Sequence, residues 1–307
     1  MDILDKINRL RKRLNAVILA HYYQESRIQD IADFVGDSLA LAKKAAETSA
    51  DVIVFAGVHF MAETAKILNP DKPVLLPDMD AGCSLADSCP ADKFKEFIER
   101  HPDHTVVTYV NCSAEVKALS DILCTSTNAV KVINSIPPDK PIIFAPDKHL
   151  GKFLMKRTGR DLLLWDGTCV VHETFSEKKL VQLKVRYPEA LVVAHPECPE
   201  QILDLADHVG STSSLLNFVC ESSARQFIVV TEPGILHQMK LRNPNKEFIA
   251  APSEDEGECA CNECPYMKLN TLEKLASCME NMSPQVDVPM DTIEKAMEPL
   301  NRMLSLG

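Results

Sequence analysis

The chain repeats itself three times, and that repetition restricts the folds open to it more than any other feature. Ala20-His21, Ile28, Asp30, Ala32-Asp33 and Val35-Gly36 recur as Ala194-His195, Ile202, Asp204, Ala206-Asp207 and Val209-Gly210, 174 residues on. The register holds far downstream, where Asn69-Pro70 and Lys72 match Asn243-Pro244 and Lys246 at the same offset. A more degenerate copy lies midway. A shift of 88 residues lays Tyr109 on His21, Val116 on Ile28, Asp121 on Asp33, Ser126 on Ser38 and Asp166 on Asp78.

Each copy reads as strand, helix, short strand, helix and a third strand. Val17-Leu19, Val106-Tyr109 and Leu191-Val193 are short β-prone runs, and each precedes a segment of helical spacing. Strands this short, joined by crossover helices, predict parallel sheets covered on both faces. The expectation is an α/β protein of three similar three-layer αβα units about a pseudo-threefold axis, with a central cavity. The units are placed at 1–83, 84–169 and 170–283, with a C-terminal helix at 284–307 packing on the first. An α/β barrel shares the alternation but would normally show eight shorter βα units instead of a period near 87 residues.

The three equivalent positions after the first strand should converge: His21 with Tyr23, Tyr109 with Asn111, and His195 with Glu197. A second triple accompanies them. Gly36-Asp37-Ser38, Cys124-Thr125-Ser126 and Gly210-Ser211-Thr212 each put a hydroxyl at the start of a helical segment (Leu39-Lys44, Asn128-Ile133 and Leu215-Val219). Such starts present free N–H groups and a positive dipole end. Singly each hydroxyl would be an ordinary helix cap; three in register predict a pocket for small anions.

The charge balance fits small anions better than large ones. Lys and Arg number 33 against 44 Asp and Glu, a net charge of −11 that repels nucleic-acid backbones and leaves no basic stripe. No apolar run approaches the roughly 20 residues needed to cross a bilayer. The first residues, MDILDKINRLRKRLNA, space Ile3, Leu4, Ile7, Leu10 and Leu14 as an amphipathic helix and not as a signal peptide, so a cytoplasmic protein without nucleic-acid or membrane partners is expected.

In that compartment the 11 cysteines are read as buried side chains, metal ligands or redox centres. Cys83 in DMDAGCS and Cys169 in WDGTC occupy equivalent loops one repeat apart, and the third unit ends in ECACNECPYM, offering Cys259, Cys261 and Cys264. One thiolate per repeat does not match the paired CxxC knuckles of structural zinc, since only Cys261 and Cys264 have that spacing. Three separated thiolates fit a [4Fe–4S] cluster, one per chain, with one iron open to act as a Lewis acid.

The blocks AHYYQ, DIADFVGDSL, MAETAKILNPDKPVLLPD, YVNCSAEVKALSD, CTSTNAV, APDKHLG, VVAHPECP, VGSTS, TEPGILHQMK and CPYMKLNTLE, in this order along nearly the whole chain, resemble the quinolinate synthase family of de novo NAD biosynthesis. The resemblance implies condensation of iminosuccinate (iminoaspartate) with dihydroxyacetone phosphate to quinolinate, phosphate and water. It implies cluster ligation by Cys83, Cys169 and Cys264, and substrate contacts from His21, Ser38, Tyr109, Asn111, Ser126, His195, Glu197 and Thr212. Some relatives carry a CxxCxxC run at the last ligand; this chain has Glu258 where the first cysteine would be and an extra one at Cys259, and a Cys261–Cys264 disulfide would compete with ligation, so Cys259 and Cys261 are read as bystanders. Functional coupling to L-aspartate oxidase, the expected source of unstable iminosuccinate, also follows from the resemblance.

For the chemistry, Glu197 beside His195 is the candidate general acid–base, with Tyr23 and Tyr109 as phenol donors. His172, three residues past Cys169, is expected to support the site from behind. Two other readings share part of this pattern: another cluster-bearing hydro-lyase acting on a small di- or tricarboxylate, and an iron–sulfur sensor or carrier.

Overall fold

The computed structural model describes residues 2–253 and 262–307. Three parallel four-stranded sheets follow one another along the chain. The first is made of β1 (Ala16–His21), β2 (Phe34–Gly36), β3 (Val52–Ala56) and β4 (Val74–Leu75); the second of β5 (Thr105–Tyr109), β6 (Ile122–Cys124), β7 (Ile142–Ala145) and β8 (Leu163–Leu164). The third contains β9 (Leu191–Ala194), β10 (His208–Val209), β11 (Gln226–Val230) and β12 (Glu247–Ala250). All three share one order, β2-β1-β3-β4 in the first and its equivalents in the others. The α/β class and the threefold repetition are therefore as the sequence predicts. Each sheet also has a fourth strand; in the first two sheets it is only two residues long, too short to leave a pattern, while in the third it is Glu247–Ala250, where the sequence does read as a strand.

The central strands are apolar runs because both faces are covered. In the first sheet Val17, Leu19, Ile53 and Phe55 pack with helices Ser38–Glu47 and His59–Leu68, while Ile18, Ala20, Val52 and Val54 pack with helices Ile3–Arg13, Ser26–Ile31 and Leu272–Asn281. Alternate residues thus enter two cores. The repeat is also visible in single hydrogen bonds: Asp33, Asp121 and Asp207 each accept, through Oδ2, the N–H of a residue 15 positions earlier in the first strand (Ile18, Val106 and Val192) at 2.8–2.9 Å. Each of these aspartates returns its own N–H to the same residue's carbonyl. The two-way clip fixes where the second strand starts beside the first, which is why an aspartate recurs there.

Two terminal elements depart from the expected boundaries. Helix Leu272–Asn281, placed with the third unit by a boundary at 283, packs beside helix Ile3–Arg13 on the first sheet. The C-terminal helix Met290–Ser305, expected on the first unit, lies in the seam between the first and second units, more of it against β6 and helix Ala114–Ala118 than against the first unit. Its Ile293, Ala296, Leu300 and Met303 enter a core shared by both sheets. Asn128 Nδ2 donates to the Met303 carbonyl at 2.9 Å, and Arg302 Nη1 to the Asp121 carbonyl at 2.6 Å. Among the described residues, no helix is long and apolar enough to cross a membrane.

Candidate functional site

In an open parallel sheet of this order the chain reverses direction between the first and third strands, and ligands sit beyond the carboxyl ends of the strands there. Here the three sheets direct those ends at one cavity. It is lined by His21, Tyr23, Tyr109, Asn111, His195 and Glu197 after the first strands, and by Asp37, Ser38, Thr125, Ser126, Thr127 and Thr212 after the second. Cys83, Cys169 and Cys264, which follow the fourth strands, line it too. Every site residue proposed from the sequence that lies among the described residues faces this space; Cys259 and Cys261 lie outside them.

The hydroxyls are not helix caps. Helix Ser38–Glu47 is capped by Asp37, whose Oδ1 accepts from Ala40 N–H at 2.9 Å, and helix Thr212–Glu221 by Ser211. Ser38 and Thr212 are the first residues inside their helices, and Ser126 stands two residues ahead of the Asn128 cap of Ala129–Ser135. Asp37 Oδ2 accepts from Thr127 Oγ1 at 2.9 Å, tying the first unit to the second.

The sequence places the positive end of helix starts at this point, and the two histidine rings add no charge to it. His21 and His195 are buried, and loss of hydration lowers their pKa to about 4 and about 3, although Asp37 and Glu197 pull His21 partly back. Both rings are neutral near pH 7. Nδ1 of His21 accepts the Tyr23 N–H at 3.2 Å, and Nδ1 of His195 accepts the Glu197 N–H at 3.4 Å, the same bond in two repeats. The proton is thereby assigned to Nε2, which in His195 points to Ser126 Oγ at 3.2 Å. Among the described residues no Lys or Arg lines the cavity, so an anion there meets hydroxyls, neutral N–H donors and helix starts.

The neutral rings have a consequence for stability. The unfolded chain takes a proton on each near pH 6.5, which the folded chain refuses until about pH 4 at His21. The stability they contribute is complete above pH 6.5 and is lost as pH falls toward 4. The urea midpoint of the metal-free protein should fall between pH 7 and pH 5, and should fall less in His21→Gln. An equal fall in both would remove His21 from the linkage.

Glu197, 3% exposed, is held on both oxygens. Tyr109 Oη donates to its Oε1 at 2.6 Å, and His172 Nδ1 lies 2.9 Å from its Oε2. Burial pushes the carboxyl pKa up, but His172 and the hydrogen bonds from His172 and Tyr109, which favour the charged form, outweigh it and hold the group ionised. His172 is thus a direct partner of Glu197, closer to the chemistry than its expected supporting place. Its Nε2 is 2.9 Å from Thr231 Oγ1, which is 2.7 Å from Tyr23 Oη. A continuous chain runs from Tyr23 through Thr231 and His172 to Glu197 and Tyr109, drawing on all three repeats. Burial keeps both phenols protonated, with their pKa values well above 10.

Thr231, Glu232 and Asp147 were missed by the sequence reading. They follow third strands, the one set of loops that reading left uncompared. Asp147 caps helix Lys148–Thr158 through Oδ1, while its Oδ2 is buried without a partner among the described residues. Asn111 Oδ1 is likewise buried and unpartnered at the cavity.

Two donor sets for a metal share Cys169. Cys169, His172 and Glu197 bring ligand atoms within 4.8 Å of one another. His172 and Glu197 are already bonded to each other, to Thr231 and to Tyr109, which leaves little free donor capacity. The sulfurs of Cys83, Cys169 and Cys264 instead meet backbone N–H groups two to three residues on, which favour the thiolate, and Cys169 Sγ lies 3.2 Å from His172 Nδ1. Burial raises all three, Cys83 to about 12, and the charge of Cys264 raises Cys83 as that of Cys83 raises Cys169. Three thiols from three loops on one cavity, with Cys83 close enough to each of the other two for their charges to interact, suit a soft metal centre. Loading it must release protons and is favoured by higher pH.

Comparison with known proteins agrees with this geometry. A family model described as quinolinate synthetase A protein matches residues 5–305. The chain is 60% identical over 307 residues to "Quinolinate synthase" of Thermosynechococcus vestitus, spanning 100% of this chain and 96% of the relative. It is 61% identical to that of Trichodesmium erythraeum (100% and 94%) and 62% identical to that of Prochlorococcus marinus (99% and 91%). Matched in this way along its whole length, the chain belongs to the quinolinate synthetase A protein family.

Proposed function

We propose that this chain condenses iminosuccinate with dihydroxyacetone phosphate to quinolinate, releasing one phosphate and two waters, with a [4Fe–4S] cluster on Cys83, Cys169 and Cys264. The observation that carries the reading is the ionised Glu197 carboxylate, bonded by Tyr109 and His172 where the loops of three repeats and three thiols meet. When bound, a cluster with three protein ligands supplies Lewis-acid polarisation at its open iron.

The chain's own residues supply binding and proton movement. Ser38, Ser126 and Thr212, with the adjoining helix starts, hold the carboxylates and the phosphate. Binding through neutral donors also favours release of the phosphate product, since no lysine or arginine lining the cavity among the described residues retains it. The unpartnered Asn111 Oδ1 accepts from an imine N–H or hydroxyl of the substrate. Val58, Phe60 and Met61 form an apolar wall against which a planar ring can lie.

Glu197 takes a proton from the carbon that becomes nucleophilic and returns one in the dehydration steps. The Tyr23–Thr231–His172 chain keeps the His172 Nδ1–H aimed at Glu197 Oε2, so the carboxylate is held in its charged form before it takes the proton and after it returns it. Tyr109 steadies the carboxylate in its charged form. Iminosuccinate hydrolyses readily in water, so functional coupling to an L-aspartate oxidase is part of this reading.

Substrate omission tests it. Phosphate should be released from dihydroxyacetone phosphate only when iminosuccinate is present, with no turnover of either alone. Consumption of a dicarboxylate without the triose phosphate would mark a simple hydro-lyase instead. For binding, Ser38→Ala, Ser126→Ala and Thr212→Ala should each weaken dicarboxylate affinity by about 1.5–3 kcal/mol, the net worth of a hydrogen bond to a charged group. Metal content should be unchanged. Calorimetric titration showing parental affinity in all three would remove the hydroxyls from the anion site.

A further inference from the structure

The loops after β1 and β11 and the segment bearing Cys264 meet at one ion pair, its carboxylate buried and its lysine half-buried. Glu232 is fully buried, and its Oε1 lies 2.9 Å from Lys268 Nζ. The same Nζ donates to the Tyr23 carbonyl at 2.8 Å. Glu232 Oε1 accepts the Cys264 N–H at 3.4 Å, and its Oε2 accepts the Gly234 N–H at 2.6 Å. Gly234 closes the junction from the other side: a Cβ there would stand 2.8 Å from both Cα and C of Tyr23, so only glycine lets the two backbones touch.

Around this point the Cys264 segment is tied down by single side-chain bonds to backbone carbonyls, Asn262 to Val171 at 2.9 Å and Asn270 to Gly57 at 2.7 Å. An ion pair with a buried partner is a poor device for stability alone, because well-packed apolar groups do as well once desolvation is counted. It is a good device for fixing position, since both partners must be placed together to satisfy their charges. Each partner here also holds a second group that faces the cavity.

We propose that Glu232 and Lys268 are a positioning pair that sets Cys264 and Tyr23 in their places in the cavity through one shared interaction. A third-unit carboxylate grips the amide of the thiol-bearing residue, and the lysine from that segment grips the backbone of the phenol-bearing residue. The part concerning Cys264 stands on geometry; the part concerning turnover rests on the function proposed above.

Thiol reactivity in the metal-free protein reads the placement of Cys264 without any need for turnover. Iodoacetamide labelling followed by mass spectrometry gives a rate for each cysteine, with exposed Cys220 as internal reference. In Lys268→Met, which strands Glu232 without its partner, Cys264 should label about tenfold faster while Cys83 and Cys169 change less than about twofold. Glu232→Gln keeps the volume and an acceptor for Gly234 and should shift Cys264 in the same direction, so poor folding of the methionine variant does not remove the test. In quinolinate formation, Glu232→Gln should lower kcat more than it raises KM, because Tyr23 is displaced while the anion-binding hydroxyls are not. Parental Cys264 reactivity in folded Glu232→Gln, or an equal rise at all three cavity thiols, would overturn the proposal. A parent protein that labels as expected but forms no quinolinate would count against the reaction and leave the pair standing.

Discussion

Glu197→Gln should slow quinolinate formation by on the order of 10²-fold or more, with the metal content of the protein unchanged. Glu197 is the one carboxylate among the three residues two places past the first-strand ring, the others being Tyr23 and Asn111. Both its oxygens are bonded, at 2.6 Å by the Tyr109 hydroxyl and at 2.9 Å by His172 Nδ1, so glutamine keeps the shape and most of the hydrogen bonding while removing the base. The phenols and the His195 ring beside it are poor substitutes. The phenols of Tyr23 and Tyr109 stay protonated because burial pushes them well above 10, and His195 is a neutral ring whose Nδ1 already accepts the Glu197 N–H. The loss should therefore fall on kcat and kcat/KM together. Turnover within about threefold of the parent, with full metal content, would exclude proton transfer by Glu197 from any slow step.

Cys83→Ser, Cys169→Ser and Cys264→Ser should each lose most of the bound iron and sulfide after anaerobic reconstitution. A serine hydroxyl ionises far less readily than a thiol and is a hard ligand, so a soft centre held by three groups loses a third of its anchorage. Cys83 and Cys169 each sit at the start of a short helix after a fourth strand, Ser84–Asp87 and Val170–Glu173, whereas Cys264 has another cysteine, Cys261, three residues before it in the sequence. Cys261→Ser is the control, and it should keep full occupancy. Full iron in Cys264→Ser with loss in Cys261→Ser would move the third ligand. Because all three thiols are protonated in the metal-free protein near pH 7, reconstitution of the parent should also be faster at pH 8.5 than at pH 6.5.

What the sequence disclosed, and what it hid, divides along a physical line. The repeat was legible because the parent geometry needs particular side chains at fixed points. An aspartate must clip the second strand to the first in every unit, and Lys72 and Lys246 both reach back to the carbonyl that ends a helix, at Thr48 and Ser222. Those residues recur, so the register could be followed. The loops after the third strands open with Gly57, Pro146 and Thr231 at the corresponding place, followed by Val58, Asp147 and Glu232; the first three have nothing in common, and only topology makes these loops neighbours. Hence Thr231, which links Tyr23 to His172, went unseen. His172 itself was noticed for its spacing from Cys169, yet its bond to Glu197 joins residues 25 apart in sequence through two different loops.

The terminal helices were misplaced for a different reason. Helix Leu272–Asn281 and helix Met290–Ser305 have clear apolar faces, but periodicity says that a face is buried and not against what. Their destinations, beside the first helix and in the seam between the first two units, depend on surfaces assembled only after the sheets form.

The most direct measurement is quinolinate itself. Protein purified anaerobically and reconstituted with iron and sulfide is given dihydroxyacetone phosphate and iminosuccinate generated in place, and quinolinate and phosphate are quantified together. Both products are expected in equal amounts, in proportion to iron content, and none from protein stripped of iron. Fully loaded protein that consumes neither substrate, or that releases phosphate without forming quinolinate, would contradict the proposed reaction.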